Sequence, residues 1–255
     1  MRAWRLIGTT AIVLAAASVA ACSARASSPT AASQAPRPAA TIPSDPVAAL
    51  AAAKARLGTE SARFAQDSGS ETADFTGTVD AVTKNWEITG KEFVVRRVGT
   101  DLYVQASGKT LDSMLLPPAT IDRLAAGGWV HTGLPYHREY SVVLNDAFPW
   151  NLANPATRAN GITRTGSRSF AGKLTVKDPI PSSTPRPSTV MRVNIDLDDQ
   201  GRFVRIGLDV TTKASARTAA FTFSDYGTSV NITAPQPTEV AEEGSPSFLV
   251  SLQLS

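Results

Sequence analysis

The stretch that decides the fold reads Met191-Arg-Val-Asn-Ile-Asp-Leu197, then Asp198-Asp-Gln-Gly201, then Arg202-Phe-Val-Arg-Ile-Gly-Leu-Asp-Val210. Apolar and polar residues alternate on both sides of the turn-forming residues. The apolar positions are Met191, Val193, Ile195 and Leu197 before the turn, and Val204, Ile206, Leu208 and Val210 after it. A period of two is typical of strands with one buried face, so this stretch predicts a β-hairpin with one apolar side.

The same alternation recurs on both sides of this hairpin. Strands are predicted at Ala73–Ala81 (Phe75, Gly77 and Val79 inward), Trp86–Ile88, Phe93–Val98 and Leu102–Ala106, and at Ala219, Phe221 and Phe223, extended by Val230, Ile232 and Ala234. Consecutive strands joined by short turns form an antiparallel meander. The chain is therefore predicted to be mostly β (α+β), with one antiparallel sheet.

Helical signals are few and short. Asp45 is a good N-cap, Pro46 suits the first helical position and Gly58 suits the end of a helix. Further helical pieces are expected within Leu111–Ala126, which Pro117-Pro118 divides, and within Ala147–Ala159, and a loop is expected at Pro179–Pro187. A broad sheet is thus paired with little helical material.

The N-terminus has the features of an export signal. Arg2 and Arg5 precede an apolar run from Leu6 to Ala17, the arrangement of a secretory signal peptide. That run is shorter than the roughly 20 apolar residues that a membrane-spanning helix requires. It leads to Val19-Ala-Ala-Cys22, which resembles a bacterial lipobox. We predict a lipoprotein signal peptide over residues 1–21; the alternative is a plain secretory signal with an incidental cysteine.

Cys22 is the only cysteine of the chain, so the exported domain can form no internal disulfide. We expect its thiol to carry the lipid anchor, since two or more palmitate-type acyl chains hold a protein stably on a membrane. Residues 22–45, rich in Ser, Thr, Ala and Pro, are predicted to form a disordered tether spanning roughly 25–30 Å. The predicted location is the cell membrane, lipid-anchored and facing the extracytoplasmic side.

Charge and motifs argue against several classes of function. Loss of the signal peptide leaves 23 basic and 22 acidic residues, which does not favour a nucleic-acid partner. No nucleophile elbow, Ser-x-x-Lys or zinc-protease motif occurs. His131 and His137 are expected to be ordinary strand and loop residues rather than ligands, and Asp196, Asp198 and Asp199 to surround a hairpin turn. We predict no enzyme activity, no cofactor and no metal.

Several weak motifs occur in a characteristic order. They are an Ala- and Leu-rich helix after a Pro-rich tether, Val95-Arg-Arg-Val-Gly-Thr-Asp-Leu-Tyr-Val104, Gly128-Trp-Val130, and Asp225-Tyr-Gly227 followed by Val230-Asn-Ile-Thr-Ala-Pro235. Together they resemble the LolA/LppX-like lipoproteins of the bacterial envelope, over most of residues 46–235. The resemblance implies a strongly curved antiparallel half-barrel with a few short helices on its concave face. It also implies the binding or carriage of a lipid or lipoglycan.

Two groups of residues are candidates for ligand contacts. An apolar cavity is predicted to be lined by Phe75, Val79, Ile195, Leu197, Ile206, Leu208, Phe221 and Phe223, because the short helices look too few to cover these strand faces. Arg164 and Arg168 share a face in the predicted strand Ile162–Lys177, where they could contact an anionic headgroup. The alternative is that both arginines lie at a solvated strand end.

Three functions remain open at this point: a lipid-binding carrier, a structural or partner-binding lipoprotein with a filled core, and an envelope hydrolase. Residues 236–255 continue past the last strand expected from the resemblance. Within them, Phe248–Leu254 alternates like a strand that pairs with a sheet edge of its own domain or of an envelope protein; a disordered tail is the alternative.

Replacing Cys22 with Ser should leave the protein without acyl chains, because the hydroxyl cannot take the place of the thiol in lipoprotein processing. Mass spectrometry of the N-terminal peptide and fractionation of cells measure this. Ser23→Ala is the control and should remain acylated and membrane-bound. A Cys22→Ser protein that stays in salt-washed membranes would overturn the lipoprotein interpretation.

Overall fold

One sheet of twelve strands dominates the part of the chain that the structure describes. The computed structural model describes residues 39–69, 74–114, 116–133, 148–176, 189–211 and 216–242. The strands are β1 (Ala62–Asp67), β2 (Phe75–Val79), β3 (Trp86–Gly90), β4 (Phe93–Val98), β5 (Asp101–Ala106), β6 (Trp129–Gly133), β7 (Asn160–Arg164), β8 (Ser169–Val176), β9 (Thr189–Leu197), β10 (Phe203–Thr211), β11 (Ala216–Ser224) and β12 (Val240–Glu242). The helices are α1 (Pro46–Leu57), α2 (Gly108–Asp112), α3 (Pro118–Ala125) and α4 (Asn154–Arg158), with 3-10 turns at Trp150–Ala153 and Pro237–Glu239.

The strands lie side by side in the order β12-β6-β5-β4-β3-β2-β1-β11-β10-β9-β8-β7. Neighbours are antiparallel, except that β12 runs parallel to β6. Consecutive strands are therefore neighbours almost throughout, as a meander requires. Only the pairs β1–β11 and β6–β12 join distant parts of the chain.

The first helix forms as its end signals predict. The Asp45 side chain accepts a hydrogen bond of 2.7 Å from the backbone N–H of Ala48, and Gly58 is the C-cap. Between these ends, α1 turns Ala49, Leu50, Ala53 and Leu57 into the core. Of the two helical pieces predicted within Leu111–Ala126, the second is present as α3, whereas the first, α2, begins earlier and overlaps the predicted stretch only at Leu111 and Asp112.

The hairpin that decides the fold is present, with one correction at Val204. The pairing of β9 with β10 shifts register between Phe203 and Arg205, which marks a β-bulge. Because the extra residue breaks the alternation, Phe203 is fully buried while Val204 is 41% exposed. The prediction that Val204 belongs to the apolar face is therefore wrong.

The predicted extension of β11 through Val230, Ile232 and Ala234 is also wrong. Residues 228–236 form neither helix nor strand. Instead, the Asn85 side chain donates a hydrogen bond to the carbonyl of Ile232, and Arg96 donates one to the carbonyl of Thr233. Because side chains bind these carbonyls, the segment needs no neighbouring strand. We call residues 228–239 the C-terminal strap, since they connect β11 to β12.

The single strand predicted over Ile162–Lys177 is a hairpin. β7 and β8 pair antiparallel, with Arg164 opposite Phe170. The backbone N–H of Thr165 donates to the carbonyl of Ser169 at 2.9 Å and closes the turn. Arg168 therefore lies in a turn rather than within a strand.

The expected fold class is confirmed in its coarser form: mostly β, one largely antiparallel sheet and a few short helices. The strong curvature and the half-barrel shape stay predictions, as do the domain boundaries. Cys22, the signal peptide, His137, the loop Pro179–Pro187 and the predicted strand Phe248–Leu254 lie outside the described residues. The strand β12 lies beyond residue 235 and belongs to the sheet.

Phe148 is the centre of an aromatic cluster on the inner, apolar face of the sheet. Its side chain is fully buried. Its ring lies 5.7 Å from that of Phe64, 6.3 Å from that of Phe75 and 4.7 Å from that of Trp86, each in an edge-on arrangement. Such pairs add to the stabilisation that burial already provides. Phe148 therefore joins strands β1, β2 and β3 through one side chain.

Phe148→Ala should lower the free energy of unfolding by about 3–5 kcal/mol, because it removes these contacts and leaves a cavity. Denaturant unfolding of the domain without signal and tether measures this. Val82→Ala, at a side chain that is 88% exposed, is the control and should change stability by less than about 0.5 kcal/mol. Equal effects of the two substitutions would contradict the role of Phe148.

Candidate functional site

All eight predicted cavity residues lie on or against the inner face of the sheet. Six are buried in one continuous apolar core: Phe75, Val79, Ile195, Leu197, Ile206 and Phe223. The other two, Leu208 and Phe221, are partly buried and pack against that core. The alternation of the sequence thus placed them on a common face, and whether they line a cavity stays a prediction.

Side chains from the helices and loops cover much of this inner face. They are Ala49, Leu50, Ala53 and Leu57 of α1, Leu111 of α2, Met114, Leu124 of α3, Phe148, and Leu152, Ala153 and Ala156 near α4. Their contribution is larger than the sequence suggested. The Phe148 ring in particular fills space above β1, β2 and β3.

A cleft of about 580 Å³ opens where the ends of β3, β4 and β5 meet α2 and α3. Its apolar lining includes Phe93, Ala106, Leu111 and Leu124, which also belong to the core. The volume lies within the range of roughly 300–1,000 Å³ that is usual for small-molecule sites. These four side chains belong to the same buried cluster as six of the eight candidates, but none of the eight lines the cleft.

The rim of this cleft is polar and is held by the start of α2. Glu92 Oε2 accepts a hydrogen bond of 2.9 Å from the backbone N–H of Thr110, while the Glu92 carbonyl accepts one from Ser107. Gly108 between them has a φ of 53°, a conformation that favours glycine. A side chain at Gly108 would meet the Glu92 carboxylate at 2.7 Å, so glycine allows this close approach.

Sequence reasoning missed this cleft because its lining comes from four separate elements. Phe93 and Ala106 are at the ends of two predicted strands, and Leu111 and Leu124 belong to two predicted helical pieces. Their periodicity indicated burial. Only the path of the chain through Pro117-Pro118 brings the two helical pieces together over the same strand ends.

Two further clefts are described. One of about 330 Å³ is lined by Arg63, Thr76, Thr78, Thr89, Thr222 and their neighbours, and another of about 390 Å³ includes Ala65, Gln66, Phe75 and Lys91. Phe75 is the one predicted cavity residue that lines any of these three described clefts. Neither the threonine-rich cleft nor the cleft of about 580 Å³ is therefore lined by any of the eight predicted cavity residues.

Arg164 binds backbone oxygens of this chain. Its Nη1 donates to the carbonyl of Ser167 at 2.5 Å, and its Nη2 donates to the carbonyl of Pro43 at 2.6 Å. The guanidinium also lies 4.7 Å from the centre of the Phe170 ring. These contacts attach the end of the predicted tether to the β7–β8 hairpin. Arg168 is exposed, and its carbonyl accepts a hydrogen bond from the N–H of Leu197.

His131 lies between two carboxylates. Its Nδ1 is 2.5 Å from Oε2 of Glu242, and its Nε2 is 3.2 Å from Oδ1 of Asp101. The ring stacks on Tyr103 with 5.0 Å between centres. Burial lowers the pKa of His131, but the hydrogen bonds and charges of Glu242 and Asp101 outweigh it, so its pKa is raised. No sequence pattern indicated this arrangement, because Glu242 is 111 residues away.

The acidic residues around the β9–β10 turn have structural partners. Asp198 accepts hydrogen bonds from the backbone of Gln200 and Arg202 and pairs with the Arg202 guanidinium at 2.7 Å. Asp196 accepts one from the Ser169 hydroxyl. Within the described ranges, no group of three or more His, Cys, Asp or Glu side chains is placed to hold a metal ion.

No protein-family model matches the sequence, and the comparison with curated proteins gives no significant match. The structure is similar to the lipoprotein LppX of Mycobacterium tuberculosis. The two chains share 13% identity with a TM-score of 0.41, over 73% of this chain and 97% of LppX. An uncharacterized conserved protein from Thermus thermophilus is similar with 10% identity and a TM-score of 0.37, over 76% and 97% of the chains. LppX belongs to the family that the sequence motifs resemble.

Among the helices of the described residues, none combines the length and the apolar character that crossing a membrane requires.

Arg164→Ala should lower the free energy of unfolding by about 1–2 kcal/mol, because two charged hydrogen bonds to backbone carbonyls are lost. Arg168→Ala is the matched control and should change it by less than about 0.5 kcal/mol. Urea unfolding of a shortened domain that starts at residue 39, and so keeps Pro43, gives both values. If the two substitutions had equal effects, the bond to Pro43 would not be structural.

Proposed function

We propose that this chain is a membrane-anchored envelope lipoprotein that binds the acyl part of a lipid or lipoglycan between its sheet and its short helices. The anchor is an acylated Cys22, and the protein faces the extracytoplasmic side of the cell membrane. The sheet is strongly curved into a half-barrel, and the protein has no enzyme activity. The single observation that carries this proposal is the cleft beside α2 and α3 with its apolar floor.

The floor of the cleft supports acyl binding because it is continuous with the core. Phe93, Ala106, Leu111 and Leu124 line it and contact the cluster that contains the predicted cavity residues. These side chains are already buried, so an acyl chain that enters there gains by removing its own methylenes from water, and each buried methylene contributes about 0.8 kcal/mol. Its polar headgroup remains at the rim, near Gln105 and Ser107.

The headgroup contacts predicted from the sequence are assigned differently within this proposal. Arg168 is exposed, but it lies in the β7–β8 turn, at the other end of the strand order from β5 and the cleft rim, so it remains a candidate only for an anionic headgroup bound at that end of the sheet. Arg164 is a weaker candidate, because its guanidinium already donates to Ser167 and Pro43 and lies over Phe170.

A structural or partner-binding lipoprotein with a filled core is the second candidate function. The observation that favours it is Phe148, whose ring packs against three strands where a ligand would otherwise lie. Protein interiors tend towards close packing, so side chains alone can fill such a space. The two candidates differ in one measurable property, which is the presence of lipid in the purified domain.

Lipid should be found by mass spectrometry after organic extraction of the purified domain, and a fluorescent fatty-acyl probe should bind to the delipidated domain. Ala125→Trp should reduce probe binding at least about tenfold, the loss expected when about 1.4 kcal/mol of contact is blocked. Ala125 is an exposed residue of the cleft lining, so its replacement leaves the core intact.

Two matched controls accompany this substitution. Ala126→Trp places the same side chain one residue further on, at an exposed position outside the cleft lining, and should leave probe binding unchanged. On β10, Leu208→Trp places a large side chain on the inner face and should reduce probe binding. Val204→Trp, at an exposed position of the same strand, should leave probe binding unchanged. Absence of lipid, together with no probe binding, would instead favour the partner-binding lipoprotein.

A further inference from the structure

Among the described residues, strand β12 is attached through its pairing with β6 and through side-chain contacts. It has three residues, Val240–Glu242, paired parallel to Trp129–His131 of β6. Before it, the Arg123 guanidinium donates a hydrogen bond of 2.6 Å to the carbonyl of Thr238. Side-chain contacts thus add to the backbone pairing that attaches this part of the chain.

The His131 side chain makes the contact that fixes the end of this strand. Glu242 lies directly opposite His131 in the register, and its carboxylate is bound to Nδ1. Asp101 is bound to Nε2 on the other side of the ring. Ionised carboxylates only accept hydrogen bonds, so both ring nitrogens must donate, which requires the imidazolium form.

The same segment also contacts the helix that borders the cleft. Arg123, which binds Thr238, belongs to α3, and the next residues Leu124 and Ala125 line the cleft. A side chain at Gly128, between α3 and β6, would meet the Glu239 carbonyl at 2.9 Å, so the strap passes close to the end of the helix. A displacement of β12 therefore removes contacts from α3.

We propose that His131 is a proton-controlled latch. In its imidazolium form it holds β12 on β6. When it loses a proton, β12 is released and α3 is held less firmly over the cleft. The part that concerns the cleft rests on the proposed function. Attachment of β12 by His131 stands without any ligand.

The charged groups around His131 set the direction of the effect. Asp101 and Tyr103 of β5 and Glu242 of β12 contact the His131 ring. Arg96 of β4 lies opposite Tyr103 in the register and pairs with Glu87 at 2.6 Å. Burial raises the pKa of Tyr103, with smaller contributions from Asp101 and Glu242, so Tyr103 titrates outside the relevant range. Two carboxylates thus face the ring directly.

The pH dependence follows from the raised pKa of His131 in the attached state. When β12 is detached, we expect His131 to have the ordinary histidine pKa of about 6.5. A group with a higher pKa in the attached state favours attachment below about pH 6.5 and loses that contribution as pH rises through the attached-state value. His131 therefore contributes to the attachment of β12 in mild acid, and this contribution is lost as the pH rises through the attached-state pKa.

Amide exchange of Val240–Glu242 tests the latch directly. The exchange rates, divided by the intrinsic rates at the same pH, are compared between about pH 5.5 and about pH 8.5, on either side of the histidine range. Protection of the Val240–Glu242 amides should fall as the pH rises. The fall should be up to about tenfold for each unit by which the pKa of His131 is higher with β12 attached than with β12 detached. Titration of the His131 ring signal by NMR supplies the attached value.

Three variants make the test specific. His131→Gln keeps a hydrogen-bond donor but does not titrate, so protection should no longer depend on pH. Glu242→Gln should lower the measured pKa of His131, whereas Glu239→Gln, an exposed acidic residue of the same segment, should leave it unchanged. Protection that is independent of pH in the wild type, or equally dependent on pH in His131→Gln, would overturn the latch.

The effect on the cleft is measured separately, as binding of the fluorescent fatty-acyl probe at the same two pH values. Wild-type protein should bind the probe faster at the higher pH, and His131→Gln should show no such difference. A wild-type pH effect on exchange without one on binding rate would overturn the coupling to α3. If no probe binds at any pH, the proposed function fails while the exchange result still decides the latch.

Discussion

Twelve strands with one apolar face impose a single requirement on this fold: that face must be covered. The edge-on contacts of Phe148 with Phe64, Phe75 and Trp86 meet it at the centre of the sheet. The apolar side of α1 covers the face near β10, and α2 and α3 cover it at the other end of the sheet. The cleft lies beside α2 and α3, two helices of five and eight residues.

The C-terminal strap organises one part of the outer face of the sheet, around Arg96 and Trp129. Arg96 lies 4.7 Å from the centre of the Trp129 ring, pairs with Glu87 and binds the Thr233 carbonyl. The strap then passes α3 and ends in β12 beside His131. Contacts on the two faces therefore meet at α3, which borders the cleft on one side and binds the strap on the other. Within the proposed latch, these contacts connect the protonation of His131 on the outer face to the cleft on the inner face.

Alternation identified most strands correctly, and its errors have physical causes. Val204 was assigned to the wrong face because a β-bulge adds one residue to the count. The extension of β11 was predicted because Val230, Ile232 and Ala234 alternate, but Asn85 and Arg96 bind the backbone there instead. The strand predicted over Ile162–Lys177 turns at Gly166-Ser167, a turn signal that the prediction of one continuous alternating strand passed over.

The sequence by itself determined the local features: the start of α1, most strands, the common face of the eight apolar candidates and the prediction of an acylated Cys22. These follow from caps, periods and short motifs, each contained within a few neighbouring residues. Tertiary structure alone decided how far that face is covered, where the cleft opens and which groups surround His131. Asp101 and Glu242 lie 30 and 111 residues from His131, and no local pattern encodes a contact between side chains so far apart in the chain.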